Sequence, residues 1–404
     1  MTSLLTKFIP AIGGGRYHMP VHPYRFAPQA ARNTPFMFYK FTILVKSVRA
    51  ASLSCVRARS CLFIQRPLFS PIALRNMSSV PVKQKAFVVP KTGGREVLEF
   101  KDAPVPTVST TEILVKNEYA GLNFIDSYFR SGLYPASTPY VAGGEAAGTV
   151  VAVGSSVTKF KVGDRVAWLG SGAFAEYSAV DEGGSVSVIP EDIDFKTAAA
   201  SLLQGLTALS LVKDAYEVKP GDWILVQAAA GGMGLLLCQL INNIGAHAIG
   251  TVSTPEKAAL AKSAGAEYVI NYTKDDYVKK VLELTDGLGV HAAFDGVGKA
   301  TFEGSFSLVR RKGSMITFGN ASGAVPPFNL ARLSQKNIKL LRPMRSNYMA
   351  TPEERDFYTS ELWKAIADGS LKITVYKVYP LEDYRSAAEA LETRLSTGKV
   401  VLKC

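Results

Sequence analysis

Residues 223–255 read WILVQAAAGGMGLLLCQLINNIGAHAIGTVSTP, a stretch without a single Asp, Glu, Lys or Arg. Hydropathy alone would suggest a membrane span here, but a span needs about 20 mostly apolar residues in a row. Gly231, Gly232, Gly234, Gln239, Asn242, Asn243 and Gly245 interrupt the run. The spacing instead predicts a buried strand over 223–228, a glycine turn, a helix over 235–244 and a second strand over 247–252, which together make one βαβ unit. The turn Ala228-Ala229-Ala230-Gly231-Gly232-Met233-Gly234 lies between a buried strand and an apolar helix, the context a dinucleotide fingerprint requires. Glycines there let the backbone approach a pyrophosphate, and the N–H groups and dipole at the helix start favour its negative charge. Ala228 stands where the strict pattern has glycine, a departure that keeps the residue small.

The next strand ends in Thr251-Val252-Ser253, and Thr254-Pro255-Glu256-Lys257 opens the following helix. A site for NAD usually places Asp or Glu at that strand end to bind the ribose 2′-hydroxyl. Glu256 is more simply a first-turn acid behind Thr254 as N-cap and Pro255 at the first helical position. Two hydroxyls and a lysine suit a 2′-phosphate, so the residues favour NADPH. The alternation continues with helices over 255–263, 277–284 and 301–308 and strands over 267–270, 292–295 and 314–318, the signature of a doubly wound parallel sheet. Upstream, short strands over 83–89 and 112–118 and two β-branched runs within 146–168 predict a β-barrel or sandwich. An Ala/Leu-rich helix over 197–214 joins the two halves. A helix over 355–367 and a final helix–strand pair (384–395, 400–402) complete the chain. The expected divisions are an extension over 1–76, a first domain over 77–205, a dinucleotide domain over 206–345 and a return over 346–404.

The chain has 404 residues, 47% hydrophobic and 20% charged, which excludes disorder throughout. Of the +12 net charge, the first 76 residues carry +11, with 11 Lys and Arg and no acid. The remainder, with 35 basic against 34 acidic residues, is nearly neutral and offers no broad phosphate-binding face. Seven prolines, eight arginines and no acid in 1–76 match the composition of a mitochondrial transit peptide. The alternatives are a flexible tail or a start at Met77, so the expected location is mitochondrial if the extension is a transit signal and cytoplasmic otherwise. Four scattered cysteines, no CxxC or HExxH, and only His247 and His291 beyond residue 76 predict no metal centre.

Several blocks carry a family resemblance: Asn123-Phe-Ile-Asp126-Ser-Tyr128-Phe-Arg130-Ser-Gly-Leu-Tyr134, Gly143-Gly-Glu145-Ala-Ala-Gly148, Ala230-Gly-Gly-Met-Gly234, Ile270-Asn-Tyr272, Asp295-Gly-Val-Gly298 and Phe318-Gly-Asn320-Ala-Ser-Gly323. In this order and spacing they resemble the zeta-crystallin-type quinone oxidoreductases, a zinc-free branch of the medium-chain dehydrogenase/reductase superfamily. The resemblance implies a GroES-like β-barrel catalytic domain joined to a Rossmann domain. Zinc-dependent relatives carry His-Glu where this chain has Gly144-Glu145. It places Asn123 and Tyr128 beside the nicotinamide and the incoming carbonyl, Thr207 and Gln204 along the cleft, and Phe318, Gly319 and Asn320 at the nicotinamide end. Asn123 has an alternative as a helix N-cap with Asp126 as first-turn acid. Ala230, Gly231, Gly232, Met233 and Gly234 would cradle the pyrophosphate. Lys257, Tyr272 and Arg394, with Thr251 or Ser253, would surround the 2′-phosphate. Arg394 has an alternative in pairing with Glu389 or Glu392. The implied activity is NADPH-dependent reduction of quinones, with an enone or 2-alkenal reductase on the same scaffold as the rival and AU-rich RNA binding as a rival of another class. A homodimer is implied as well.

Overall fold

The computed structural model describes residues 80–404, so the reading of 1–76 as a transit peptide lies outside the described residues. The barrel half uses β1 (Lys83–Val89), β2 (Glu99–Pro104), β3 (Glu112–Gly121), β4 (Tyr140–Val141), β5 (Glu145–Val153), β6 (Arg165–Leu169), β7 (Tyr177–Asp181) and β8 (Ser185–Val188). One helix, α1 (Phe124–Ser131), intervenes between β3 and β4. Phe87, Trp168, Phe174 and Tyr384 fill the interior, the last contributed from far along the chain. α2 (Phe195–Ser210) follows, its first turn capped by the Asp194 carboxylate, which accepts from Thr197 N–H. It continues through one wide turn to Ala215, closed by Tyr216 N–H donating to Leu211 O at 3.1 Å. Phe195–Ala215 is long and apolar enough to cross a membrane, but two thirds of it is buried against β3, β5, α3 and neighbouring elements. Its apolarity is that of a core helix shared by both halves, and the expected division at 205/206 falls inside it.

The second half alternates β9 (Trp223–Val226), α3 (Gly232–Ile244), β10 (His247–Val252), α4 (Pro255–Ser263), β11 (Tyr268–Asn271), α5 (Tyr277–Leu284), β12 (Val290–Asp295), α6 (Phe302–Leu308), β13 (Val309–Thr317) and β14 (Lys339–Leu341). The sheet order is β11-β10-β9-β12-β13-β14, all parallel. The winding reverses between β9 and β12, and in such sheets ligands bind at the carboxyl ends of the strands flanking that point. β13 starts at Val309 instead of 314 because its first turn of strand is the polar Arg310-Arg311-Lys312, which hides the period.

Beyond β14 come α7 (Arg345–Tyr348), α8 (Pro352–Ala367), β15 (Val375–Pro380), α9 (Tyr384–Glu392) and β16 (Lys399–Lys403). The last two strands rejoin the barrel in the order β15-β16-β3-β5-β6-β8, with β7 also on β3. β16 therefore lies inside a sheet, parallel to β15 and antiparallel to β3.

Candidate active site

The glycine turn is shaped by close approaches. Ala228 holds φ +54°, left-handed backbone that an alanine adopts at a cost, and its carbonyl accepts from Gly231 N–H at 2.9 Å. A β-carbon on Gly234 would lie 2.4 Å from that carbonyl, so only glycine lets α3 close on the turn. A β-carbon on Gly232 would lie 2.2 Å from Gln204 Oε1, which places the Gln204 side chain against the turn. No side chain caps α3, so its first-turn N–H groups, beside Ala230 and Met233, have no side-chain acceptor. Beneath the turn runs a buried polar chain. Thr251 Oγ1 donates to Gln227 Oε1 (2.6 Å), Gln227 Nε2 donates to Ser305 Oγ (3.0 Å), and Ser305 Oγ donates to Asp295 (2.9 Å). Thr251 is fully buried, so its expected part in holding a 2′-phosphate is corrected: its hydroxyl supports the turn from below.

At the far end of the edge, Ser253 follows β10 and Tyr272 follows β11, with Tyr272 N–H donating to Val252 O at 3.0 Å and Thr273 Oγ1 to Ser253 O at 3.3 Å. Thr254 caps α4 by accepting from Lys257 N–H, as its sequence suggested. Lys257 Nζ donates to the carbonyl of Arg394 at 2.7 Å, and partial burial together with the Arg394 charge lowers the lysine's pKa. Glu389 and Glu392 are both taken by Arg95, and Glu392 also by Arg130, so neither is the partner of Arg394. Ser253, Lys257, Tyr272 and Arg394 thus gather at the ends of β10 and β11, a corner rich in donors, while the one acid of the α4 first turn, Glu256, is engaged by Thr254.

Across the crevice, α1 presents Tyr128. Its hydroxyl accepts the backbone N–H of Asn320 at 2.9 Å, and burial pushes the phenol up to about 12. The group stays protonated near neutral pH, and its own O–H remains available to donate. Tyr134 packs edge-on against it, ring centroids 5.2 Å apart, and accepts from Arg342 Nη2 at 3.0 Å. Arg342 also donates to Thr317 O (2.9 Å) and Gly319 O (3.1 Å), bracing the turn that holds Phe318, Gly319 and Asn320. Tyr134 stood inside a recognisable block, whereas nothing in the sequence marked Arg342.

Asn123 is placed differently from expectation. It is buried, and its amide donates to Glu145 Oε2 (2.9 Å) and Gly121 O (3.3 Å), while Oδ1 accepts from Lys399 Nζ (2.7 Å). With both amide hydrogens committed, it braces the site from behind and does not point a donor at a substrate. Thr207 spends its hydroxyl on Leu203 O, 2.7 Å away within its own helix. Lys399, which nothing in the sequence marked, and Glu145, quoted in a family block without a role, form a buried ion pair of 2.6 Å, and Glu145 Oε1 accepts from Leu203 N–H at 2.6 Å. Asp126 accepts from Asn123 N–H (2.8 Å), and its carboxyl is raised by burial to about 7.

A GroES-like barrel closed against a six-stranded dinucleotide sheet, with a crevice between them at the switch point, defines the medium-chain dehydrogenase/reductase class. Residues 109–191 match the alcohol dehydrogenase GroES-like domain and residues 232–360 the zinc-binding dehydrogenase domain. A probable quinone oxidoreductase of Schizosaccharomyces pombe is 44% identical over 318 residues, covering 78% of this chain and 96% of the relative. A quinone oxidoreductase of Pseudomonas aeruginosa is 44% identical over 314 residues, covering 77% and 96%. The crystal structure of Escherichia coli quinone oxidoreductase complexed with NADPH superposes with a TM-score of 0.77 at 41% identity, over 79% of this chain and all of that one. The chain belongs to the quinone oxidoreductase family of that superfamily. One matched domain carries zinc in its name; among the described residues no three His, Cys, Asp or Glu side chains converge, and both oxygens of Glu145 accept from protein donors.

Proposed function

We propose that this chain is an NADPH:quinone oxidoreductase that works without a catalytic metal. The observation that carries the reading is the pairing, along one sheet edge, of a helix N-terminus without a side-chain cap at the glycine turn with the Lys257–Arg394 corner. Relatives named as quinone oxidoreductases, one of them solved with NADPH, support it. In this reading Ala230, Gly231, Gly232, Met233 and Gly234 receive the pyrophosphate, and Ser253, Lys257, Tyr272 and Arg394 receive the 2′-phosphate. Phe318, Gly319 and Asn320 border the nicotinamide end. Bound NADPH supplies the reducing equivalents. The protein's part is to exclude water and to offer Tyr128 O–H, with Tyr134 beside it, to the acceptor oxygen where negative charge develops. A well-placed donor of this kind contributes about 3–4 kcal/mol in favourable cases. Fixed cationic character near the acceptor comes from Arg342, through its hydrogen bond to Tyr134.

The test is anaerobic oxidation of NADPH by the full chain with a simple quinone, run beside a 2-alkenal and repeated with NADH. Rapid quinone-dependent oxidation preferring NADPH is the expected result. Turnover of the alkenal alone would move the assignment to an enone reductase, and no turnover with any quinone would end it. We further infer a homodimer through β14, whose outer edge has no partner strand among the described residues, to be checked by light scattering. The acid-free composition of 1–76 supports mitochondrial import.

A further inference from the structure

We propose that residues 394–399 form a strap that transmits occupancy of the 2′-phosphate corner to Tyr128, so that the phosphate sets turnover as well as affinity; this rests on the NADPH reading above. The strap has three fixed points. At its start, Lys257 Nζ holds the Arg394 carbonyl at 2.7 Å, and Arg394 sits at φ +62°, a conformation few side-chain-bearing residues adopt. Its neighbouring carboxylates are engaged by Arg95 and Arg130, which leaves the guanidinium free for an incoming anion. In the middle, Gly398 N–H donates to Ala230 O at 3.1 Å, joining the strap to the pyrophosphate turn. Gly398 adopts φ +75°, and a β-carbon there would lie 2.4 Å from Thr374 O.

At its end, Lys399 Nζ enters the barrel and donates to Asn123 Oδ1 (2.7 Å) and Glu145 Oε2 (2.6 Å). Asn123 is the N-cap residue of α1, the helix that presents Tyr128. One short segment therefore touches the phosphate-reading arginine, the glycine turn and the base of the donor helix. A buried ammonium with two close partners admits little play, so a shift of Arg394 onto a phosphate passes along the backbone to α1. Binding energy from a remote part of a cofactor is then used for orientation at the reacting centre, the situation in which truncation lowers kcat and not only affinity. Lys399 is a positioning residue in this scheme.

The experiment measures Kd for NADPH and NADH by calorimetry on the full chain, and kcat at saturation of each with one quinone. We expect kcat about tenfold higher with NADPH, in addition to tighter binding. Equal Kd values would overturn the 2′-phosphate reading itself, whereas unequal Kd values with kcat within twofold would overturn the strap alone. In the double variant Lys399→Met/Glu145→Gln, which removes both buried charges together, the kcat ratio should fall to about one while the Kd ratio persists. An unchanged kcat ratio overturns the strap. A second measurement needs no variant: reduced nicotinamide mononucleotide serves as truncated coenzyme, with adenosine 2′,5′-bisphosphate or adenosine 5′-monophosphate added. Activation several-fold greater with the bisphosphate is expected, and equal or absent activation overturns the proposal.

Discussion

A phenol that accepts a backbone hydrogen bond keeps its own proton to give, and that is the position of Tyr128 against Asn320 N–H. We expect Tyr128→Phe to lower kcat about tenfold or more while changing NADPH affinity little, because the hydroxyl acts on charge that develops only during reaction. Steady-state kinetics with calorimetry checks this, and unchanged kcat would remove the donor role. Both members of that hydrogen bond were legible, since Tyr128 and Asn320 lie in recognisable blocks. Their contact was not, because they approach from two separate domains. The same separation hid the pairing of Lys399 with Glu145: Glu145 stands in a recognisable block and Lys399 in none, and only the return of the chain into the barrel makes them a pair. Of the two readings of Asn123, N-cap ahead of Asp126 is the one the geometry has, and the ligand-facing one falls for a related reason. An exposed amide seeks a ligand, but this one is buried beside a carboxylate and an ammonium that sequence could not place there.

Among the elements, the βαβ unit at the glycine turn was the most legible, because a charge-free run punctuated by glycines has few other physical solutions. Its one departure has a measurable consequence. Ala228 occupies left-handed backbone, so Ala228→Gly is expected to raise the thermal midpoint slightly or leave it unchanged, with a gain of up to about 1 kcal/mol. Gly234→Ala should do the opposite, costing about 1–3 kcal/mol as the new methyl is driven into the Ala228 carbonyl, and should also weaken coenzyme binding. Differential scanning calorimetry of the two variants tests the pair. β15 escaped the sequence reading because it is a mostly exposed edge strand ending in Pro380 and lacks a clean alternation. The last helix was read too long, to 395, because nothing in its composition announces the reversal at Arg394.

At the scale of the whole molecule, the buried charges behind the crevice make stability depend on pH. Burial raises the Asp126 carboxyl from 3.8 to about 7, against the opposing influence of the Asn123 N–H, Lys399 and Arg130, with Glu145 reinforcing it. Tyr140 and Tyr384 also border this carboxyl. The folded protein therefore keeps a proton that the unfolded chain releases between about pH 4 and 7, and stability declines as pH rises through that window, levelling above it. Asp126→Asn, which still accepts from Asn123 N–H, should gain in thermal midpoint relative to the parent between pH 5 and pH 8. A constant difference across that range would show that the carboxyl does not titrate there. For the extension, a fluorescent reporter carrying residues 1–76 should enter mitochondria, and a diffuse signal would discard the transit role. The position of β16 has one more consequence, for how the protein is made. A ribosome releases the chain from its first residue to its last at about 5–20 residues per second, so β3 and β5 emerge many seconds before the strand that must lie beside β3. The nascent barrel waits, one flank open, while the later nucleotide-binding half can already condense. Removal of β16 would consequently wreck a domain whose other central strands are encoded far upstream of it.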